Sequence, residues 1–253
     1  MTTRRRFYAP PSSFEHEGKS VILPPEEARH LRDVLRLAPG NPAFVFDGEG
    51  NEYECSITDV RRDYARLAVV SKVSPKSPES ALKLTLAVSL LKGDKFDLVV
   101  QKATELGVQG ILPIETRNAD IRLKDDRDGE RRRARWQRIA LEAAKQSGRA
   151  TVPKVSGPSD LAELFERNII GDETRFMFAE RLGDSFAEAI RGIATPKSVV
   201  ALVGSEGGWA VEELQQARHS EWRIVTLGGR TLRAETAAIT VTALLQHRFG
   251  DLK

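Results

Sequence analysis

Apolar positions recur in two rhythms along the 253 residues, and the rhythm changes near residue 80. Before that point short segments alternate. In EYECSIT (52–58), Tyr53, Cys55 and Ile57 are spaced by two, which predicts a half-buried strand. The turn-forming DGEGN (47–51) precedes it, and 43–46 and 65–70 read as further strands. A helix is expected to start at Pro24-Pro25-Glu26-Glu27 and to stop at Pro39-Gly40. On it Ala28, Leu31 and Leu35 share one side, and Arg29, Arg32 and Arg36 share another. A small β-barrel carrying one helix fits this pattern. KVSPKSPES (72–80) is proline- and serine-rich with little apolar content, the composition of a linker. The expected division is therefore a barrel domain over 1–73, a linker over 74–80 and a second domain over 81–253.

Beyond the linker, apolar runs alternate with helical periodicity. LKLTLAVSL (82–90) reads as a strand. Asp94 is expected to cap the following helix, Phe96, Val99, Val100, Ala103 and Leu106 form its stripe, and Gly107 ends it. VQGILPI (108–114) is again strand-like. Over 130–147 a helix is predicted, with Trp136, Ile139, Ala140 and Ala143 inward and Arg131, Arg135, Arg138 and Lys145 outward. Strands near 152–155, 175–179, 198–203 and 222–227 alternate with helices near 159–167, 184–192 and 210–218. A last helix is expected over 234–248, with Ala234, Ala237, Ala238, Val241, Leu244 and Leu245 on one face, for core or for a dimer interface. Strand–helix alternation predicts an α/β domain with a mostly parallel sheet.

Composition narrows the function classes. Hydrophobic residues make up 40% and charged residues 30%, the profile of a soluble globular chain. The one cysteine, Cys55, excludes an internal disulfide and fits a reducing, cytoplasmic compartment. Arg4, Arg5, Arg6 and Phe7 are followed by the polar PPSSFEHEGKS, so no export signal is expected, and no run approaches the ~20 apolar residues of a membrane span. No Cys/His cluster suggests a metal. Net charge is +3, but eleven Lys/Arg stand against six Asp/Glu between Arg117 and Arg149. Such a block serves either as a solvated helix face or as a polyanion contact.

Two late loops carry the candidate chemistry. Gly204-Ser205-Glu206-Gly207-Gly208 and Leu227-Gly228-Gly229-Arg230-Thr231-Leu232-Arg233 each lie between a predicted strand and a helix, where α/β sheets bind ligands. The spacing is neither that of a P-loop nor of a dinucleotide fingerprint. Glu206 would also repel a phosphate. On residue chemistry alone, a structural turn and a site for an uncharged base or cationic centre both remain open. Leu202, Val203, Leu227 and Leu232 are either apolar walls or ordinary core.

LVGSEGGW taken with LGGRTLRAETA (227–237) resembles the paired motif of SPOUT-class RNA methyltransferases, specifically the RsmE family. HLRDVLRL (30–37), LLKGDKFDLVVQKATELGVQGILPIET (90–116) and EAAKQSGR (142–149) resemble further family signatures, in the family's order. The resemblance implies an N-terminal PUA-like β-barrel, a C-terminal α/β domain with a trefoil knot, a homodimer, and S-adenosylmethionine as methyl donor. It also implies methylation of N3 of a uridine in 16S ribosomal RNA of the small subunit. Ser205 stands where the family usually has proline, and Thr231 where it usually has isoleucine.

On that basis Leu202, Val203, Gly204, Glu206, Gly207, Gly208, Leu227, Gly228, Gly229 and Leu232 are expected around the cofactor. Arg233, Arg230 and Glu206 are expected to act in catalysis, by holding charge on the uridinate or taking its proton. Glu235 is either a second base or a helix-dipole carboxylate. Arg4, Arg5, Arg6, His30, Arg32, Arg36, Lys92, Arg117 and Arg149 are expected to contact RNA, largely through phosphates. The alternatives are a SPOUT enzyme acting on another RNA nucleotide and a non-catalytic RNA-binding assembly factor.

Overall fold

The computed structural model describes residues 4–166 and 173–253, which form two compact units. The first comprises residues up to Glu79 together with Ala144–Val152; the second comprises Ser80–Ala143 and Pro153–Lys253.

In the first unit, β1 (Arg6–Tyr8), β2 (Phe14–Glu15), β3 (Ser20–Leu23), β4 (Pro42–Phe46), β5 (Glu52–Val60) and β6 (Ala65–Val73) form one sheet in the order β1-β4-β5-β6-β3-β2. Only β1 and β4 pair in parallel. Phe7, Val21, Leu23, Val45, Ile57 and Leu67 fill the core, joined by Ala28 and Leu31 of the helical segment. The alternation expected in β5 is interrupted: Cys55 and Ile57 are buried, but Tyr53 is half-buried and Glu52 fully buried. A register shift between Glu54 and Cys55 changes the phase, as an inserted residue does in a bulge. Burial and the nearby Glu54 push the Cys55 thiol up to about 12, so it is an inert core residue.

The expected single helix is two pieces. α1 (Pro25–Arg29) runs into a π-helical turn over His30–Val34, and Arg36 then adopts a left-handed φ of 51°.

Glu52 is buried because it has cationic partners. Its carboxylate accepts from Arg6 Nε at 3.2 Å and Nη2 at 3.1 Å, and from the Lys76 amide at 3.2 Å. Arg6 also donates to the Lys145 and Arg149 carbonyls at 3.2 and 2.9 Å. Arg149 is buried against Glu79, with Nη2 at 2.7 Å from Oε2. Lys145, expected to face out, is instead bonded to the buried Glu27 at 2.6 Å. These bonds join residues 144–152 to the strands of the first unit.

The second unit holds a parallel sheet of β7 (Lys83–Ser89), β8 (Gly110–Glu115), β9 (Lys154–Val155), β10 (Ser159–Asp160), β11 (Glu173–Phe178), β12 (Asp184–Ser185), β13 (Ser198–Val203) and β14 (Arg223–Thr226). Its order is β10-β8-β7-β13-β11-β14-β12, with β9 also pairing β8. Central strands read as unbroken apolar runs, as SVVALV of β13 does, because both faces are covered. The connecting helices are α2 (Lys95–Glu105), α3 (Asp126–Ser147), α4 (Leu161–Glu166), α5 (Phe186–Ala189), α6 (Val211–His219) and α7 (Ala234–Phe249). Residue 167, the expected end of α4, lies outside the described residues.

Asp94 stands at the N-cap of α2 but makes no cap bond; its carboxylate pairs with Arg135 at 3.2 Å. Asp97, one turn on, accepts from the Trp136 indole at 3.1 Å and pairs with Arg135. Phe96 packs on Trp136 with ring centroids 4.2 Å apart, so α2 and α3 are joined by both apolar and polar contacts. On α7, Ala234, Ala238, Val241 and Leu245 are buried with Gln246, which donates to the Gly107 carbonyl and accepts from Ser80.

Glu52→Ala removes the partner of a guanidinium whose side chain is only 7% exposed. We expect a loss of about 3–5 kcal/mol in the first unit, read as a shifted urea midpoint of its transition. A loss below about 1 kcal/mol would contradict the bracing role given to this pair.

Candidate active site

β13, β11 and β14 are neighbours, and being parallel they end on the same side of the sheet. The loops that follow them, 178–182, 203–209 and 227–232, enclose one cavity of about 300 Å³. Val203, Leu214, Leu227, Leu232 and Phe178 give it apolar walls, while Glu180, Arg181 and Arg230 bring charge to its lining. Ala234 and Ala237, in the first turn of α7, close one side with small side chains.

Local chemistry shapes each loop. Gly207 approaches the 116–120 segment so closely that a Cβ would lie 2.4 Å from the Asn118 carbonyl oxygen. Asn118 Nδ2 donates to the Gly207 carbonyl at 3.1 Å, and Ser205 Oγ donates to the Asn118 carbonyl at 3.3 Å. Glu213 of α6 accepts from the Arg117 amide and the Ala210 amide, each at 2.8 Å, which ties the loop exit to the same segment. The Trp209 indole donates to the Phe178 carbonyl at 2.8 Å and links the first loop to the end of β11. Thr226 Oγ1 donates to the Glu180 carbonyl at 3.0 Å and links the second loop to the same strand end. Gly228 takes φ of 115°, a backbone region that side-chain-bearing residues rarely adopt.

Of the residues expected around a cofactor, the fold brings Val203, Gly204, Gly207, Gly208, Leu227, Gly228 and Leu232 together in the cavity lining. Leu202 is core, fully buried beside Met177 and Ile224. Gly229 is exposed and outside the lining. Glu206 also lies outside it: its carboxylate is bonded to Lys95, at the start of α2. Burial pushes the Glu206 carboxyl up, but the Lys95 hydrogen bond and a backbone bond outweigh that and hold it below the ordinary carboxylate range. The same bond raises Lys95. A carboxylate so held is a poor proton acceptor near neutral pH. Arg230 lines the cavity, and Arg233 is exposed at the N-cap of α7. Neither makes an ion pair among the described residues.

Phe178–Leu182, Trp209 and Leu214 were not expected at the site, and Ser205 was expected there only as a member of the first glycine loop. Trp209 adjoins a glycine loop and was within reach of sequence reasoning. The 178–182 segment carries no local signal, because only strand order places it there.

The residues expected at RNA fall into two sets. Arg5, His30 and Arg36 are exposed on the first unit, His30 resting edge-on against Phe7. Arg32 is partly exposed but donates to Asp33 and to the Arg61 and Arg62 carbonyls. Arg4 pairs with Glu52 and lies over Phe44. Arg6 and Arg149 are structural, as described above, and do not present their guanidinium groups to solvent. In the second unit Lys92 pairs with Asp120 and Arg117 with Glu212, both as exposed pairs that release their cations readily.

Residues 78–246 match the family described as RNA methyltransferase domain, and residues 23–70 match the RNA methyltransferase PUA domain. The chain belongs to the RsmE family of RNA methyltransferases. Among its relatives, the ribosomal RNA small subunit methyltransferase E of Synechocystis sp. is 32% identical, covering 88% of this chain and 72% of that protein. The protein of the same name from Bacillus subtilis is 28% identical, covering 92% of this chain and 91% of that protein. The crystal structure of the Neisseria gonorrhoeae enzyme bound to S-adenosyl methionine superimposes with a TM-score of 0.86 at 32% identity, over 99% of this chain and 100% of that one. The family member described here is an RNA methyltransferase dependent on S-adenosylmethionine. Its cavity suits that molecule: apolar walls for a purine, bare backbone at the glycine loops, and charges of both signs for an amino-acid end.

Gly207→Ala forces the loop off the Asn118 carbonyl. We expect S-adenosylmethionine affinity to fall about tenfold or more, about 1.4 kcal/mol per factor of ten, as measured by calorimetry. Binding equal to the parent's would contradict the close approach at this glycine.

Proposed function

We propose that this protein methylates N3 of a specific uridine in 16S ribosomal RNA of the small subunit. The supporting observation is the union, in one family member, of the three-loop cavity with an N-terminal RNA methyltransferase PUA domain. The names of its relatives supply the substrate class. Kinship with SPOUT enzymes also supports a trefoil knot around the cavity and a homodimer. Relatives named for the small-subunit ribosomal RNA support a cytoplasmic place of action; among the described residues no helix is long and apolar enough to cross a membrane.

S-adenosylmethionine, when bound, supplies an electrophilic methyl group on sulfur. The remaining work falls to this chain. Val203, Leu227 and Leu232 exclude water from the purine side. N3 of uracil must lose its imide proton, and the resulting charge spreads over N3 and two carbonyl oxygens. Arg230 and Arg233 are the free cations of the second loop, and we assign them to that charge and to the flanking phosphate. Glu235, in the first turn of α7, sits where a helix dipole favours a carboxylate. Exposed polar side chains on each unit, Arg5, His30 and Arg36 on the first and Lys92 and Arg117 on the second, serve as phosphate contacts.

Nucleosides from ribosomal RNA of a strain lacking the protein are expected to lose 3-methyluridine by mass spectrometry, with restoration by the intact gene. Persistence of the full amount would exclude this substrate. Arg233→Ala is expected to keep cofactor affinity within about threefold and to lower turnover about 100-fold or more. Parental turnover would remove Arg233 from the reaction.

A further inference from the structure

Lys95, the first residue of α2, is engaged by carboxylates from two separate places. Its ammonium is bonded to Glu206 and lies 4.0 Å from Glu235 Oε2. Glu206 belongs to the first glycine loop. Glu235 is the second residue of α7, directly behind the end of the second loop. One cation thus lies between the first glycine loop and the first turn of α7, whose Ala234 and Ala237 line the cavity, and it comes from a helix that contributes nothing to the lining.

The two ends of this link differ in rigidity. α2 is anchored through buried Phe96, Val99 and Val100, and its Asp97 is tied to Trp136 of α3. The first loop, which carries Glu206, is glycine-rich and has the conformational freedom that glycine gives. The second half of the link is also incomplete. Glu235 Oε2 is buried and has no hydrogen-bond partner among the described residues. A buried carboxylate oxygen without a donor is costly, and a charged donor stands about 1 Å beyond bonding distance. A small shift of the Lys95 ammonium towards the start of α7, carrying the first loop with it, would complete it.

We propose that Lys95 is a positioning residue for methyl transfer, holding the first glycine loop against the start of α7 through Glu206 and Glu235 and so setting the width of the cofactor cavity. This rests on the cofactor occupying that cavity. Lys95 touches neither cofactor nor base in this role. It acts on affinity for S-adenosylmethionine, while Arg230 and Arg233 act on the reacting base.

The test is calorimetry with S-adenosylmethionine alongside steady-state kinetics, on the parent, Lys95→Ala, Lys95→Arg and Glu206→Gln, each with an unchanged melting midpoint. Lys95→Ala is expected to weaken cofactor binding about tenfold and to raise KM for the cofactor by a similar factor, with kcat within about threefold. Lys95→Arg should recover most of the affinity. Glu206→Gln should reproduce the loss, and it carries the test if Lys95→Ala fails to fold. Binding by Lys95→Ala within twofold of the parent would overturn the proposal, as would a large fall in kcat at unchanged affinity. Absence of binding by the parent itself is a separate result and would overturn the cofactor assignment.

Discussion

Parallel pairing of β13, β11 and β14 is the constraint on which the rest of the structure depends. Three adjacent strands that run the same way must end on one side, and the three loops that leave them must share the same space. The strands are held in place by an unbroken apolar core, with Phe176, Met177, Val199, Ala201 and Leu202 essentially fully buried. At about 25 cal/mol for each Å² of apolar surface removed from water, that burial makes the strand ends a rigid frame. The cavity is the space left over between loops that the frame positions but does not fill.

Side-chain-to-backbone bonds then give the loops their shape. Trp209, Thr226, Asn118, Ser205 and Glu213 each tie one loop to a neighbouring element through a main-chain atom. Ser205 is informative, because its hydroxyl donates to the Asn118 carbonyl. Where a proline would restrict the backbone directly, this chain fixes the loop through a hydrogen bond.

Much of this was legible in the sequence. Apolar runs located six strands of the second unit to within two residues at each end, since buried parallel strands must be apolar on both faces; the short β10 and β12 lie where helices were expected. The glycine loops were legible because close approach and left-handed backbone demand that residue. Four features were not. The 178–182 segment joins the cavity only through strand order, which no local pattern encodes. Glu206 was expected at the chemistry because it sits in the loop's sequence, yet the Lys95 ammonium turns its carboxylate away from the cavity. The return of residues 144–152 to the first unit depends on Arg6, Glu27 and Glu79, which are distant in sequence. Within β5 the phase of burial slipped because a bulge changes which residues face inward, and alternation alone cannot show where a bulge lies.

A crystal structure of this protein grown with S-adenosylmethionine tests the shared loop cavity most directly. One cofactor molecule per chain is expected between residues 203–209 and 227–232, with 178–182 forming the third wall. A cofactor bound elsewhere, with the three loops closed against protein, would contradict it.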